Sequence, residues 1–321
     1  MPKEYEPWSF DSLWNKATIY AARSHDQDRE GEEFPFWSLL TLELVGRAVL
    51  AYTHPALLAD GKSEDNVMTA FGFGKAKDPR SIAASLVFRR CSEIVDAFSD
   101  KDATRCIGLM EFRNREVHTG EPVFAGWSTS AWLTDYYRIL KILLMHVGKT
   151  LEDLIGTEDA AHAEEILIAA EKQNIADVAE RINTAKTYFF KALSDDEREQ
   201  KKSEATVFVR QQIVGLTGRK VRCPICSSDA ALIGNLVRRT EAHLNEDELV
   251  SELTLQPSTF SCAGCRLSLS SLSDLFAASK TNNAFEPMTN PFTLRERTSI
   301  EEYFEEYFEP DPSDYGEYMD E

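Results

Sequence analysis

The chain reads as mainly α: an up-and-down helical bundle, further helices behind it, and a small β-rich domain built on four cysteines. Three observations predict this. Apolar residues recur at helical spacing through most of the first 215 positions. Two Cys-x2-Cys pairs, Cys223/Cys226 and Cys262/Cys265, bracket segments that read as short strands. A length of 321 residues, 43% hydrophobic and 28% charged, suits two or three ordinary globular domains. The expected division is 1–155 for the bundle with its leading segment, 156–215 for a helical connector, 216–280 for the cysteine domain and 281–321 for an acidic, aromatic tail.

In chain order, 1–33 is polar with scattered aromatics. A short helix over 11–22 would carry Leu13, Ala17 and Tyr20 inward, and 24–33 reads as an acidic loop. The segment 34–52 is apolar nearly all round, with Trp37, Leu40, Leu44 and Ala48 on one stripe and Leu42, Val45, Val49 and Tyr52 on another, so it belongs inside the bundle. Pro35 suits its first turn, and His54-Pro55 ends it. Within it Glu43 and Arg47 stand at i,i+4. They are either a salt bridge on a solvent strip or substrate-binding groups beside a polar cleft.

Phe71-Gly72-Phe73-Gly74-Lys75 lacks the first glycine of a phosphate loop, and Ala76 stands where a hydroxyl should bind magnesium. It reads as a plain connection. Asp78-Pro79 then opens a helix burying Ala83, Val87, Cys91, Ile94 and Phe98, with Cys91 an inert core thiol. Asp102 caps the next helix, which carries Ile107 and Met110. Ser128 or Thr129 caps a long helix to Leu154, whose stripe is Leu133, Tyr136, Leu140, Leu143, Val147, Leu151 and Leu154. Helical patterning continues over 160–173, 175–193 and 194–214.

The helix from Asp102 delivers Arg113-Asn114-Arg115-Glu116-Val117-His118, with Thr119-Gly120 to stop it. An arginine stays charged and can hold a phosphate through two hydrogen bonds. A histidine exchanges protons near neutrality and so can act at a sugar hydroxyl. On a regular helix five residues span about 500°, which leaves Arg113 and His118 roughly 140° apart. Asn114 and Arg115 share a face with His118 instead. Either Arg113 reaches round, or a second copy of the motif completes the site. The plain alternative is three solvated charges and a histidine at a helix end.

Residues 34–154 resemble the HEPN superfamily (higher eukaryotes and prokaryotes nucleotide-binding domains). The resemblance rests on the apolar helix bearing Glu43 and Arg47, and on Arg113-Asn114 with His118 at Arg-x4-His spacing just before the long final helix. It implies a homodimeric endoribonuclease that needs no catalytic metal and joins two Arg/His motifs in one cleft, in prokaryotic antiviral defence or a toxin-like system. In that reading Arg113, Asn114 and His118 are catalytic, and Arg115, Arg47 and Glu43 contact the RNA.

The four cysteines at 223, 226, 262 and 265 have the spacing of two metal-binding knuckles, 35 residues apart, and the metal expected is zinc. Segments 231–237 and 249–260 read as strands between the knuckles, and a short helix follows Cys265. The module resembles a zinc ribbon. Four thiolates fill a tetrahedral shell, so the zinc is structural and has no open position for substrate. Arg219, Lys220, Arg222, Arg238 and Arg239 flank it, as phosphate contacts or as scattered surface charge.

A net charge of −19 excludes a protein that coats nucleic acid through bulk charge, so any RNA contact must be local. Ten acids and no Lys or Arg fall between Glu301 and Glu321. There Ile300, Tyr303, Phe304, Tyr307 and Phe308 share one face of a short helix, which suits docking on a basic surface or recruiting a regulatory partner. The first residues hold no apolar run, and the longest strongly apolar stretch, near 139–147, is too short to span a bilayer; the expectation is a cytoplasmic chain with no membrane partner. Besides the ribonuclease, two further readings stand: a non-catalytic HEPN scaffold binding a protein or nucleotide, and a zinc-ribbon nucleic-acid-binding regulator.

Overall fold

The structure, a computed structural model, describes residues 6–73, 77–213, 215, 217–245 and 248–299. The chain divides into two units, Met1–Ala170 and Glu171–Glu321. The first is helical, and the second carries a six-stranded antiparallel sheet. The residues assigned to a separate connector are therefore shared between the units, and the acidic segment beyond Ser299 lies outside the described residues.

Helix α1 (Phe10–His25) starts at Ser9, whose side chain accepts from the Ser12 amide, and buries Leu13, Ala17, Ala21 and Ser24. Tyr20, expected inward, is only half-buried, because the inward stripe runs through the two alanines. Their small side chains let α1 lie close on α2 (Glu33–Thr53). Helix α2 packs against α1, against α4 (Ala84–Ile94) and α5 (Asp100–His118), and against α6 (Leu133–His146). Its length and composition alone would allow a membrane span, but 72% of that window is buried inside the unit, as in a core helix. A Cβ on Gly46 would come within 3.0 Å of Phe88, so glycine is what lets α4 approach α2. Burial pushes the Cys91 thiol up to about 12, which fits an inert core residue.

Between α2 and α4 lies a short helix that the sequence pattern did not suggest, α3 (Glu64–Ala70). The expected helix at Asp78-Pro79 begins only at Ala84. Ser81 bridges Ala59, and the Ile82 amide donates to the Leu58 carbonyl at 2.9 Å, so the backbone there is committed to an extended pairing. Helix α5 is capped by Ser99, with Asp102 at the reciprocal position of a capping box rather than at the cap. The single long helix expected to Leu154 is two. Gly148 adopts φ +67°, ending α6, and Thr150 caps α7 (Leu151–Ile155). Gly156, at φ +80°, turns the chain into α8 (Thr157–Thr187), in which the boundary between units falls.

In the second unit, Val178, Ile182, Ala185 and Phe189 join the core beneath the sheet. Helix α9 (Asp195–Gln212) starts on a Ser194/Glu197 capping box. Strands β1 (Gly218–Arg222), β2 (Asp229–Arg239), β3 (His243–Asn245), β4 (Glu248–Cys262) and β5 (Leu267–Leu269) precede α10 (Leu272–Thr281) and β6 (Phe292–Ser299). The long β4 is the hub: it pairs with β2, β3, β5 and β6, all antiparallel. Residues 281–299 are consequently part of this domain rather than a tail, since β6 runs along β4 and Phe285, Met288 and Phe292 are buried.

One buried polar cluster in the first unit has no counterpart among the expected sites. His25, at the end of α1, is 5% exposed, with Nδ1 3.0 Å from Asp159 Oδ1 but neither ring nitrogen in a well-aligned hydrogen bond. Arg29 Nη2 reaches the same carboxylate at 2.6 Å. Burial holds the His25 pKa below the ordinary histidine value; Asp159 opposes that shift, Arg29 adds to it and Asp26 opposes it. The unfolded chain therefore binds a proton that the folded chain resists, so stability falls as pH drops through about 6.5 toward the folded pKa. Thermal melts should show a smaller decline from pH 7.5 to 5.5 in His25→Asn than in wild type, and equal declines would contradict this account.

Candidate functional site

The polar centre of the first unit is a carboxylate shared by two arginines. Arg47 lies one turn after Glu43 on α2, and its Nε and Nη2 donate to Glu43 Oε1 at 3.0 and 2.7 Å. The other oxygen, Oε2, accepts from Arg113 Nη2 of α5. Arg47 is also fixed from outside the helix, donating to Ser81 Oγ at 3.1 Å and to the Ile82 carbonyl at 2.9 Å. The extended pairing that displaced the start of α4 thus positions this arginine. All three side chains are mostly buried, at 14, 14 and 18% exposure for Glu43, Arg47 and Arg113.

Glu43, Arg47 and Arg113 line a cavity of about 420 Å³. Lys16 and Tyr20 of α1, Trp8 from the turn before it, and Ser81 complete its polar and aromatic wall, with Leu40, Leu44 and Leu58 as apolar surface. Glu43 and Arg47 form the expected i,i+4 bridge, on a mostly buried face rather than a solvent strip, and both border a cleft. Three cations against one carboxylate make it a positive pocket in an acidic chain, suited to an anionic group. Lys16, Tyr20 and Ser81 were missed. The one available signal was Ser12, Lys16 and Tyr20 at i,i+4,i+8, a polar face on α1.

The rest of the hexapeptide lies elsewhere. Helix α5 stays regular to His118, so Arg113 and His118 keep the angular separation of about 140°. His118, Asn114 and Arg115 are exposed and do not line the cavity. Arg115 pairs with Glu121 and lies over the Phe112 ring, 5.8 Å from its centroid. Glu116 acts locally, its Oε2 accepting from the Val123 and Phe124 amides at 2.7 and 3.2 Å and so folding the following loop back on α5. Phe112, Trp127 and Trp132 stack beneath that loop. One chain presents Arg113 and His118 on different faces.

In the second unit the four sulfurs of Cys223, Cys226, Cys262 and Cys265 lie within 4.8 Å of one another and all four residues are buried. Cys223 and Cys265 sulfurs are 3.6 Å apart, Cys226 and Cys262 sulfurs 3.5 Å, and none is in a disulfide. Thiolates ~2.3 Å from a tetrahedral metal would stand roughly 3.8 Å apart. The set fits a structural metal. The knuckles match: Ser227 and Arg266, directly after the second cysteine of each pair, adopt φ of 60° and 62°. Gly264, inside the second pair, packs directly against the first knuckle. A Cβ there would lie 2.4 Å from Ser228 Oγ of the opposite knuckle, so its role is close approach.

The flanking basic residues are largely engaged. Lys220 and Arg222 stand 3.7 and 3.6 Å from Asp229, Arg239 pairs with Glu296, and Arg219 lies over the Phe292 ring. Compared with family models, curated proteins and solved structures, the chain matches none.

Two outcomes follow from these sites. Glu43→Gln keeps the shape but leaves two mostly buried guanidiniums sharing no anion, which should cost about 3 kcal/mol. The melting temperature should fall by about 5 °C or more; an unchanged value would show that the bridge does not hold α2 to α5. Gly264→Ala should force the knuckles apart and lower metal content per chain by elemental analysis. Full occupancy in that variant would mean that the close approach is dispensable.

Proposed function

We propose that the protein is an endoribonuclease of the HEPN type, acting as a homodimer without a catalytic metal. The observation that carries this reading is Arg113, held by Glu43 at a positive cavity on the helix that also ends in His118. The arginine can bind the scissile phosphate and stabilise the charge developing on it. His118, exposed, is free to take the proton of the ribose 2′-hydroxyl. The 2′-oxygen then bonds to phosphorus as the bond to the 5′-oxygen breaks, and that leaving oxygen receives a proton. The products are a 2′,3′-cyclic phosphate and a 5′-hydroxyl, and DNA, lacking the 2′-hydroxyl, is not cut. Since one chain turns Arg113 and His118 apart, a second copy supplies the complementary group. Asn114, one turn before His118, orients it, and Arg115 contacts a neighbouring phosphate after leaving Glu121.

We further infer that the metal held by the four cysteines is zinc. A closed shell of four thiolates supplies folding energy rather than catalysis. Prokaryotic defence or a toxin-like system in the cytoplasm is the setting that the resemblance suggests.

The Glu43–Arg113 pair also favours a second reading, a non-catalytic scaffold, in which the bridge is purely structural. The regulator reading through the zinc ribbon is weakened by the acidic partners of its arginines and lysine. An RNA-cleavage assay separates them. His118→Ala should abolish cutting with the melting temperature unchanged, because the side chain is exposed, and wild-type products should end in cyclic phosphate. Undiminished cutting by that variant, or products with 5′-phosphate, would reject the ribonuclease proposal.

A further inference from the structure

We propose that the outer groove between α1 and α2 is a track for single-stranded RNA leading to the Arg113 cavity, with Lys16 and Arg23 as phosphate contacts and Tyr20 and Trp37 as stacking surfaces. The inference rests on the ribonuclease reading and names the form of its substrate.

Four side chains alternate along this groove. Lys16 Nζ lies 5.5 Å from the Tyr20 ring centroid. The Arg23 guanidinium lies 5.4 Å from the same ring and 5.1 Å from the Trp37 ring. Tyr20 and Trp37 meet edge to face, with centroids 5.2 Å apart. Cation and aromatic group thus interleave over Lys16, Tyr20 and Arg23 of α1, about 10 Å of helix axis. This combination binds single strands irrespective of sequence: the charges follow phosphates while bases stack on the rings.

Three features separate it from ordinary helix packing. First, α1 is packed by Leu13, Ala17, Ala21 and Ser24, whereas Lys16 and Arg23 are exposed and Tyr20 and Trp37 half-buried. Second, both cations contact rings rather than acids. Among the described residues no carboxylate pairs with Lys16 or Arg23, in a chain of net charge −19. Third, the groove is continuous with the cavity, because Lys16 and Tyr20 line it together with Arg47 and Arg113. A duplex, whose bases stay stacked on one another, cannot use the aromatic platforms.

The test measures binding separately from cutting. Full-length His118→Ala is titrated against a labelled oligoribonucleotide, single-stranded or annealed to its complement, over a range of salt concentrations. The single strand should bind more tightly than the duplex. Adding Lys16→Ala and Arg23→Ala should reduce the slope of log affinity against log salt by about 0.7 for each charge removed, while Lys16→Arg keeps the slope. Tyr20→Leu should weaken single-strand binding by about tenfold. Melting temperatures identify any loss that comes from misfolding, and the two exposed charges can be removed without touching the core.

Equal affinity for the duplex, or unchanged affinity and salt slope in the charge variants, would overturn the track. The two proposals fail differently. A wild-type protein that cuts RNA while the charge variants bind normally rejects the track alone. Single-strand binding that depends on Lys16 and Arg23, in a protein that never cuts, supports the track and rejects the nuclease.

Discussion

Glu43 sits on a helix buried on nearly every side, with each carboxylate oxygen committed to a different arginine. That bridge makes the polar centre of the helical unit possible. Two guanidiniums sharing one carboxylate in a mostly buried setting repel each other. The shared carboxylate offsets this and aligns both groups. Arg47 is then locked by Ser81 and Ile82, leaving Arg113 as the one held through a single bridge. In the proposed ribonuclease, an incoming phosphate would meet an arginine already oriented, one whose Glu43 partner it would have to share or displace. Orientation before binding is what gives an electrostatic site its catalytic effect.

The second unit solves a different problem. A small sheet domain has little apolar area with which to hold two irregular knuckles together. Its four buried thiols, the left-handed residues after each pair, and a glycine pressed against Ser228 tie the knuckles to each other. The core of Leu253, Leu255, Phe260, Phe285 and Phe292 then holds the sheet to the helices below. Both cysteines of the second pair flank the end of β4, the strand on which all but one of the others are paired. A metal there would stabilise the hub directly.

Much of this was legible in the sequence. The all-round apolar character of 34–52 marked α2 as central, and the Cys-x2-Cys pairs marked the four-cysteine cluster by number. The angular argument on Arg113 and His118 anticipated their separation on a regular α5. Most of what was not legible depended on tertiary partners. The break after α6 did have local signals, Gly148 and the Thr150/Asp153 capping box, but the apolar stripe running on through Leu151 and Leu154 outweighed them, so two helices looked like one. Ser81 and Ile82 pair with a segment over twenty positions away, which overrode the helix signal of Asp78-Pro79. Strand β6 carries charges at 295, 296 and 297 and looks like tail until β4 is beside it. The groove face of α1 was masked by a stripe that placed Tyr20 inward, where the alanines in fact lie.

The central claim is that Arg113, fixed by Glu43, and His118, turned away on the same helix, work only when two chains complete each other. Mixing two singly inactive proteins tests it most directly. Arg113→Ala and His118→Ala are co-refolded or co-expressed with different tags, the mixed dimer is isolated through both tags, and its RNA cleavage is measured. The account predicts that the mixed dimer regains cutting that neither parent shows, because one intact arginine meets one intact histidine. A mixed dimer that forms and stays as inactive as its parents would contradict it.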